Sequence, residues 1–158
     1  MRDYHTTTLE DWVTNFYKRL HIMHPKQIKE DEIAQKLYIF IHRKPLPSSF
    51  QVIGRYQGIT VDSRASIQEQ KEMFFHELCH ILRHAGRQGR MPAAFRDLQE
   101  WDARNFVRYA AIPHHHLRYI NFDQVNLSEH IADLFDVSVQ LASERIQQIE
   151  TRARLLAK

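Results

Sequence analysis

Ser66-Ile67-Gln68-Glu69-Gln70-Lys71-Glu72-Met73-Phe74-Phe75-His76-Glu77-Leu78-Cys79-His80-Ile81-Leu82-Arg83-His84-Ala85-Gly86 is the stretch from which the rest of the chain can be read. Ser at the first position with Glu three residues on has the form of a capping box. Gly86 is placed to end the helix that follows. On a helix from about Ile67 to Ala85, the side chains of Phe74, Leu78, Ile81, Leu82 and Ala85 form one apolar stripe. His76 and His80 fall almost opposite that stripe. Spaced four residues apart, they share a face about 6 Å apart along the axis, so two imidazoles can grip one metal ion. Glu77, beside the first of them, reaches the water that such a metal activates and can take its proton. This H-E-x-x-H pattern marks a metallopeptidase helix.

A hydrolytic zinc site needs a third protein ligand and an open fourth position. The spacing H-E-x-x-H-x-x-G-x-x-H is absent, because position 83 is Arg and position 86 is Gly. His84 lies about 12 Å along the axis from His76, too far for one straight helix to bring both onto one ion; a solvated or substrate-side role is expected for it. The next helix, about Phe95–Ala111, starts after Pro92 and stops at Pro113, with Ala103, Phe106, Val107 and Ala110 as its core stripe. Glu100 falls on that stripe, where a carboxylate is costly unless paired, and a metal ion would be the pairing. Glu100 is the expected third ligand. Asp102, at the stripe's edge, is the alternative ligand or an acceptor that orients a ligand histidine. Cys79 reads as a small packing residue. Tyr56, Tyr109 and the triplet His114-His115-His116 are candidates for stabilising the tetrahedral oxyanion.

Upstream, Leu9, Trp12, Val13, Phe16, Tyr17 and Leu20 recur at helical spacing after Thr8. Pro25 suits the start of a second helix carrying Ile28, Ile33, Ala34 and Leu37. Tyr38–Ile41 reads as a short strand. Phe50–Gly54 and Gly58–Asp62 read as a hairpin turning through Arg55-Tyr56-Gln57. The second of these directly precedes the metal helix, so it is expected to be an exposed edge strand on which an extended peptide could pair. Downstream, residues 128–156 are helical in pattern with a break near Phe135–Ser138, which is helix-turn-helix-like. The would-be recognition helix, 138–148, contains a single base, Arg145, and a DNA reader ordinarily shows more.

Composition bounds these readings. The chain has 158 residues, 43% of them apolar and 26% charged, which suits a folded protein rather than a disordered one. Its single cysteine excludes an intramolecular disulfide framework. Its 22 basic and 19 acidic residues are spread evenly, with no basic arm. Eleven histidines are a surplus that suits metal or acid–base chemistry. No apolar run approaches the ~20 residues of a bilayer span, and the first residues lack an apolar signal region, so a cytoplasmic protein is expected. Direct nucleic-acid binding and membrane association are not.

Three segments resemble the ImmA/IrrE metallo-endopeptidase family. Phe74–Leu82 is similar to its F-x-H-E-L-G-H-x-L, Glu100–Val107 running to Ile112-Pro113 to its E-x-E-A-N-x-F-A…L-L-M-P, and Ile131–Ser138 to its L-A-x-x-F-x-V-S. The resemblance implies His76, His80 and Glu100 as zinc ligands and Glu77 as general base, in agreement with the helical-face argument. Cys79 stands where the family has Gly, Asp102 where it has a second Glu, and Arg104 where it has Asn. None of these departures removes a ligand or the base.

The expected fold is α+β: a small mixed or antiparallel sheet packed on a helical body. A metallopeptidase domain would cover 1–127, with a helical segment, 128–158, packed on it. The expected metal is zinc, with manganese the alternative. The resemblance implies a helix-turn-helix repressor as substrate, cleaved to relieve repression. Two other classes fit the same residues: a non-catalytic antirepressor that sequesters its partner, and a DNA-binding regulator with a structural metal.

Overall fold

The computed structural model describes residues 4–84 and 91–156. It is an α+β protein with six α-helices and one three-stranded mixed sheet among the described residues. Contacts divide the chain into two compact units. A terminal unit combines residues up to 28 with those from 108 onward, and a central unit spans 29–107.

The central unit carries the sheet. Helix α2 (Glu30–Lys36) leads into β1 (Phe40–Lys44), followed by β2 (Ser49–Ile53) and β3 (Tyr56–Asp62). β1 begins two residues later than the apolar run suggests, because Tyr38 takes a left-handed backbone (φ 57°) and only then does the chain extend. The turn between β2 and β3 is shorter than expected: Ile53 pairs with Tyr56, and Gly54 supplies the positive φ of 58°. A left-handed residue at the first position of a two-residue hairpin loop is the place for glycine.

The strand order is β1-β3-β2, with β1 parallel and β2 antiparallel to β3. This corrects the expectation that Gly58–Asp62 is an exposed edge. β3 is central and both its edges are paired; its Ile59 and Val61 are buried. Among the described residues, the strand with one unpaired edge next to the metal helix is β2.

Helix α3 (Ile67–Arg83) packs on β3 and β2. The Ser66–Glu69 capping box forms as read, each side chain bonding the other residue's backbone N–H. Phe74 and Leu78 of the expected stripe are fully buried, as are Phe75 and Cys79 beside them, while Ile81 and Leu82 are half-buried. Ala85 and Gly86 lie outside the described residues. Helix α4 (Ala93–Ala111) buries Ala103, Phe106, Val107 and Ala110, the stripe read from the sequence. It carries the chain from the central unit into the terminal one.

In the terminal unit, α1 (Thr8–Arg19) is capped by Thr7 with Glu10 completing the box. The second helix expected from Pro25 is divided: Pro25–Gln27 is one 3-10 turn, and α2 starts only at Glu30. Helices α5 (Leu127–Phe135) and α6 (Val139–Leu156) pack on each other across a three-residue turn, in which Asp136 takes φ 53°. Residues 128–156 thus share a unit with α1. Arg145 of α6 donates to Glu10 at 2.6 Å and to the Ile112 carbonyl at 3.2 Å, and its guanidinium lies 4.6 Å from the centre of the Tyr109 ring.

Candidate metal centre

All the residues of the centre belong to the central unit. α3 presents His76 and His80 one turn apart, and α4 brings Glu100 to them. His76 Nε2 lies 3.4 Å from His80 Nε2 and 3.0 Å from Glu100 Oε2, and His80 Nε2 lies 3.1 Å from Glu100 Oε1. Metal bonds of about 2.0–2.1 Å in tetrahedral array hold donor atoms about 3.3 Å apart. The two imidazoles and the two oxygens of the carboxylate are thus close enough together to gather round one ion, and this donor chemistry is that of zinc sites that keep one position open. The His80 imidazole is 2% exposed, and burial pushes its pKa down to about 4 against the pull of Glu100. A neutral ring is the form a metal needs.

Glu77 lines the same cleft, about 230 Å³ in volume, together with Ser48, Ser49, Phe50 and the three donors. Burial raises the Glu77 carboxyl above its ordinary value; the Ser48 hydroxyl and His76 oppose the shift, and Glu100 adds to it. A raised carboxylate is the better proton acceptor near neutral pH. Ser48 Oγ donates to Glu77 Oε1 at 2.9 Å, and the Phe50 ring stacks on His80 with centroids 5.4 Å apart and planes at 13°. Sequence reasoning missed both residues, because they reach the centre only through the placement of β2 against α3.

Behind the donors is a second polar group. Asp102 accepts from Arg83 Nε at 3.2 Å, pairs with His84 Nε2 at 2.8 Å and lies 3.8 Å from Cys79 Sγ. His84 in turn faces His80, Nδ1 to Nδ1, at 3.1 Å. The expectation of a solvated or substrate-side His84 is corrected here: its side chain is 11% exposed and is held between Asp102 and His80. Burial alone would raise Asp102, but Arg83 and His84 hold it below the usual carboxylate range. Burial, with Asp102 adding to it, pushes the Cys79 thiol well up, so it stays a thiol, in keeping with a packing role.

The remaining candidates have other neighbours. Tyr56 stacks on Phe40 and its hydroxyl lies 2.7 Å from His42 Nε2, so it serves the sheet. Tyr109 lies beneath Arg145, His114 stacks on Tyr4, and His115 and His116 pack together; all are in the terminal unit. Burial pushes His116 down to about 3.

Comparison with known families places this arrangement. The family model described as peptidase M78, IrrE N-terminal-like domain, matches residues 22–147, which include α3, α4 and every residue of the centre. The chain belongs to this family. The M78 family is one of metal-dependent peptidases, and the metal-ligand group of the central unit fits that chemistry. Among curated proteins the chain is similar to the uncharacterized protein YqaB of Bacillus subtilis (strain 168), 39% identical over 145 residues, covering 90% of this chain and 84% of that protein. It is also similar to the phage-like element PBSX protein XkdA of the same strain, 34% identical over 154 residues, covering 96% and 77%. No solved structure gives a significant match.

Proposed function

We propose that this M78 family member is a zinc endopeptidase, with manganese the alternative metal, and that its substrate is a helix-turn-helix transcriptional repressor. The observation that carries the peptidase reading is the convergence of His76, His80 and Glu100 beside Glu77 in one cleft. These three residues would hold the ion, which when bound polarises the scissile carbonyl and makes water nucleophilic. Glu77 takes the proton of the attacking water and returns it to the leaving amine. Ser48 fixes the direction of the Glu77 carboxylate. The unpaired edge of β2 offers backbone donors and acceptors to an extended peptide, which holds a chain without demanding particular side chains.

A repressor as substrate is supported by the resemblance to the ImmA/IrrE family and by the relative encoded in a phage-like element. The window 83–118, with seven Arg against three acidic residues, suits an acidic or polar partner surface. Arg145, the single base of 138–148, is buried against Glu10 rather than offered to phosphate, which supports leaving DNA out of the partners. No helix among the described residues is long and apolar enough to cross a membrane.

The test is incubation of the full chain with candidate helix-turn-helix repressors, with and without a chelator and with Glu77→Gln in parallel. Cleavage by the metal-loaded wild type alone is expected. Binding by both proteins with no cleavage by either would replace this reading with a sequestering antirepressor.

A further inference from the structure

We infer that His84 is a positioning residue that links the Asp102 carboxylate to the metal ligand His80. The inference rests on the metal centre proposed above.

The direction of the link follows from the atoms involved. His80 Nε2 is the nitrogen that faces His76 and Glu100, so it is the one that binds a metal and carries no proton. The proton of a neutral His80 therefore sits on Nδ1. That atom lies 3.1 Å from His84 Nδ1, which must accept. With Nδ1 accepting, the ring N–H of His84 is on Nε2, 2.8 Å from Asp102 Oδ2. Asp102 can only accept, and it also receives Arg83 Nε–H at 3.2 Å.

Ligand histidines usually give their second N–H directly to a carboxylate or a carbonyl, which fixes the tautomer and raises ligand basicity. Here a second imidazole stands between. The end of the helix supplies the reason: His84 caps the C-terminus of α3, four residues beyond His80, while Asp102 comes from α4, so the carboxylate reaches the ligand through the ring that lies between them. The same three side chains, Cys79, His84 and Asp102, could instead gather a second ion. The Arg83 cation on Asp102 opposes that, since it already occupies the carboxylate with positive charge.

The experiment is zinc titration of the full chain against a chromophoric chelator, with nitrogen-15 spectra of the imidazoles in the zinc-loaded wild type. One ion per chain is expected. His84→Leu should bind it about 10–100-fold more weakly, the range for losing such a partner. His84→Asn, whose side-chain oxygen can stand where Nδ1 stood, should recover part of the loss. The spectra should show His80 protonated on Nδ1 and His84 on Nε2; this readout needs no variant to fold. His84 protonated on Nδ1, or unchanged affinity in His84→Leu, would overturn the inference while leaving the metal centre intact. Two ions in the wild type, one of them lost in His84→Leu, would replace it with a second metal site. A wild type that takes up no zinc would refute the centre itself, and the link with it.

Discussion

Ser48 and Glu77 are joined by a hydrogen bond of 2.9 Å between the serine hydroxyl and carboxylate Oε1. Ser48 immediately precedes β2, and Glu77 stands between His76 and His80 on α3, so the bond ties the strand that borders the cleft to the group proposed as proton acceptor. Glu77→Gln should fold and bind metal like the wild type but lose peptide cleavage, because an amide cannot take the proton. Ser48→Ala keeps the base and loses only its orientation. Its expected effect is smaller, a fall of about tenfold, equivalent to about 1.4 kcal/mol, in line with one hydrogen bond to a charged group. Single-turnover cleavage by the three proteins checks both; cleavage by Glu77→Gln at the wild-type rate would remove Glu77 from the mechanism.

A second prediction concerns the terminal unit. Glu10 and Arg145, 135 residues apart in sequence, form an ion pair whose side chains are 0% and 1% exposed. Arg145→Met leaves a carboxylate buried without its partner and should cost about 3–5 kcal/mol, read by urea unfolding. Replacing both, with Glu10→Gln, should recover much of the loss. A loss below about 1 kcal/mol in the single variant would show that the pair is not desolvated in solution.

The same pair sets an acid limit. Burial alone would raise the Glu10 carboxyl, but Arg145, the Tyr4 hydroxyl and the Thr7 backbone N–H together hold it below its ordinary 4.5. On acidification the unfolded chain therefore takes the proton first. The contribution of Glu10 is complete above pH 4.5 and is lost as the pH falls through its lower folded value. Unfolding free energy between neutral pH and pH 3 should accordingly fall less steeply in Glu10→Gln than in the wild type. Parallel curves would contradict this.

A further prediction tests the sheet. The Tyr56 ring lies over Gly58, where an added Cβ would stand 2.5 Å from the tyrosine hydroxyl and 2.9 Å from Cζ. Gly58→Ala must push the ring aside, at the expense of its hydrogen bond to His42 and its stacking on Phe40. A loss of about 1–3 kcal/mol is expected, as for other overpacked sites. In a Tyr56→Ala background the same substitution should cost close to nothing. An equal loss in both backgrounds would mean that the glycine is needed for its backbone and not for the ring above it.

The centre was more legible in the sequence than the sheet. His76, Glu77 and His80 follow from a four-residue spacing, and the helical period that places them also sets Phe74 and Leu78 in the core. Glu100 follows from a carboxylate on an apolar stripe. The strand order does not follow from local pattern. Gly58–Asp62 was expected at an edge because it directly precedes the metal helix, yet its parallel pairing with β1 is a long-range contact that no hairpin signal encodes. Once β3 is central, β2 becomes the border of the cleft, and Ser48 and Phe50 come with it. The place of His84 is hidden for a related reason: its spacing of four residues from His80 is visible in the sequence, but the carboxylate that pairs with it comes from another helix.

The proposed chemistry depends on one metal ion held by His76, His80 and Glu100. Its most direct test is the metal content of the purified full chain beside that of Glu100→Ala and Asp102→Ala, measured by elemental analysis after dialysis against excess zinc. About one zinc per chain is expected in the wild type, little or none in Glu100→Ala, and weakened but measurable binding in Asp102→Ala. Full occupancy in Glu100→Ala with loss in Asp102→Ala would contradict it.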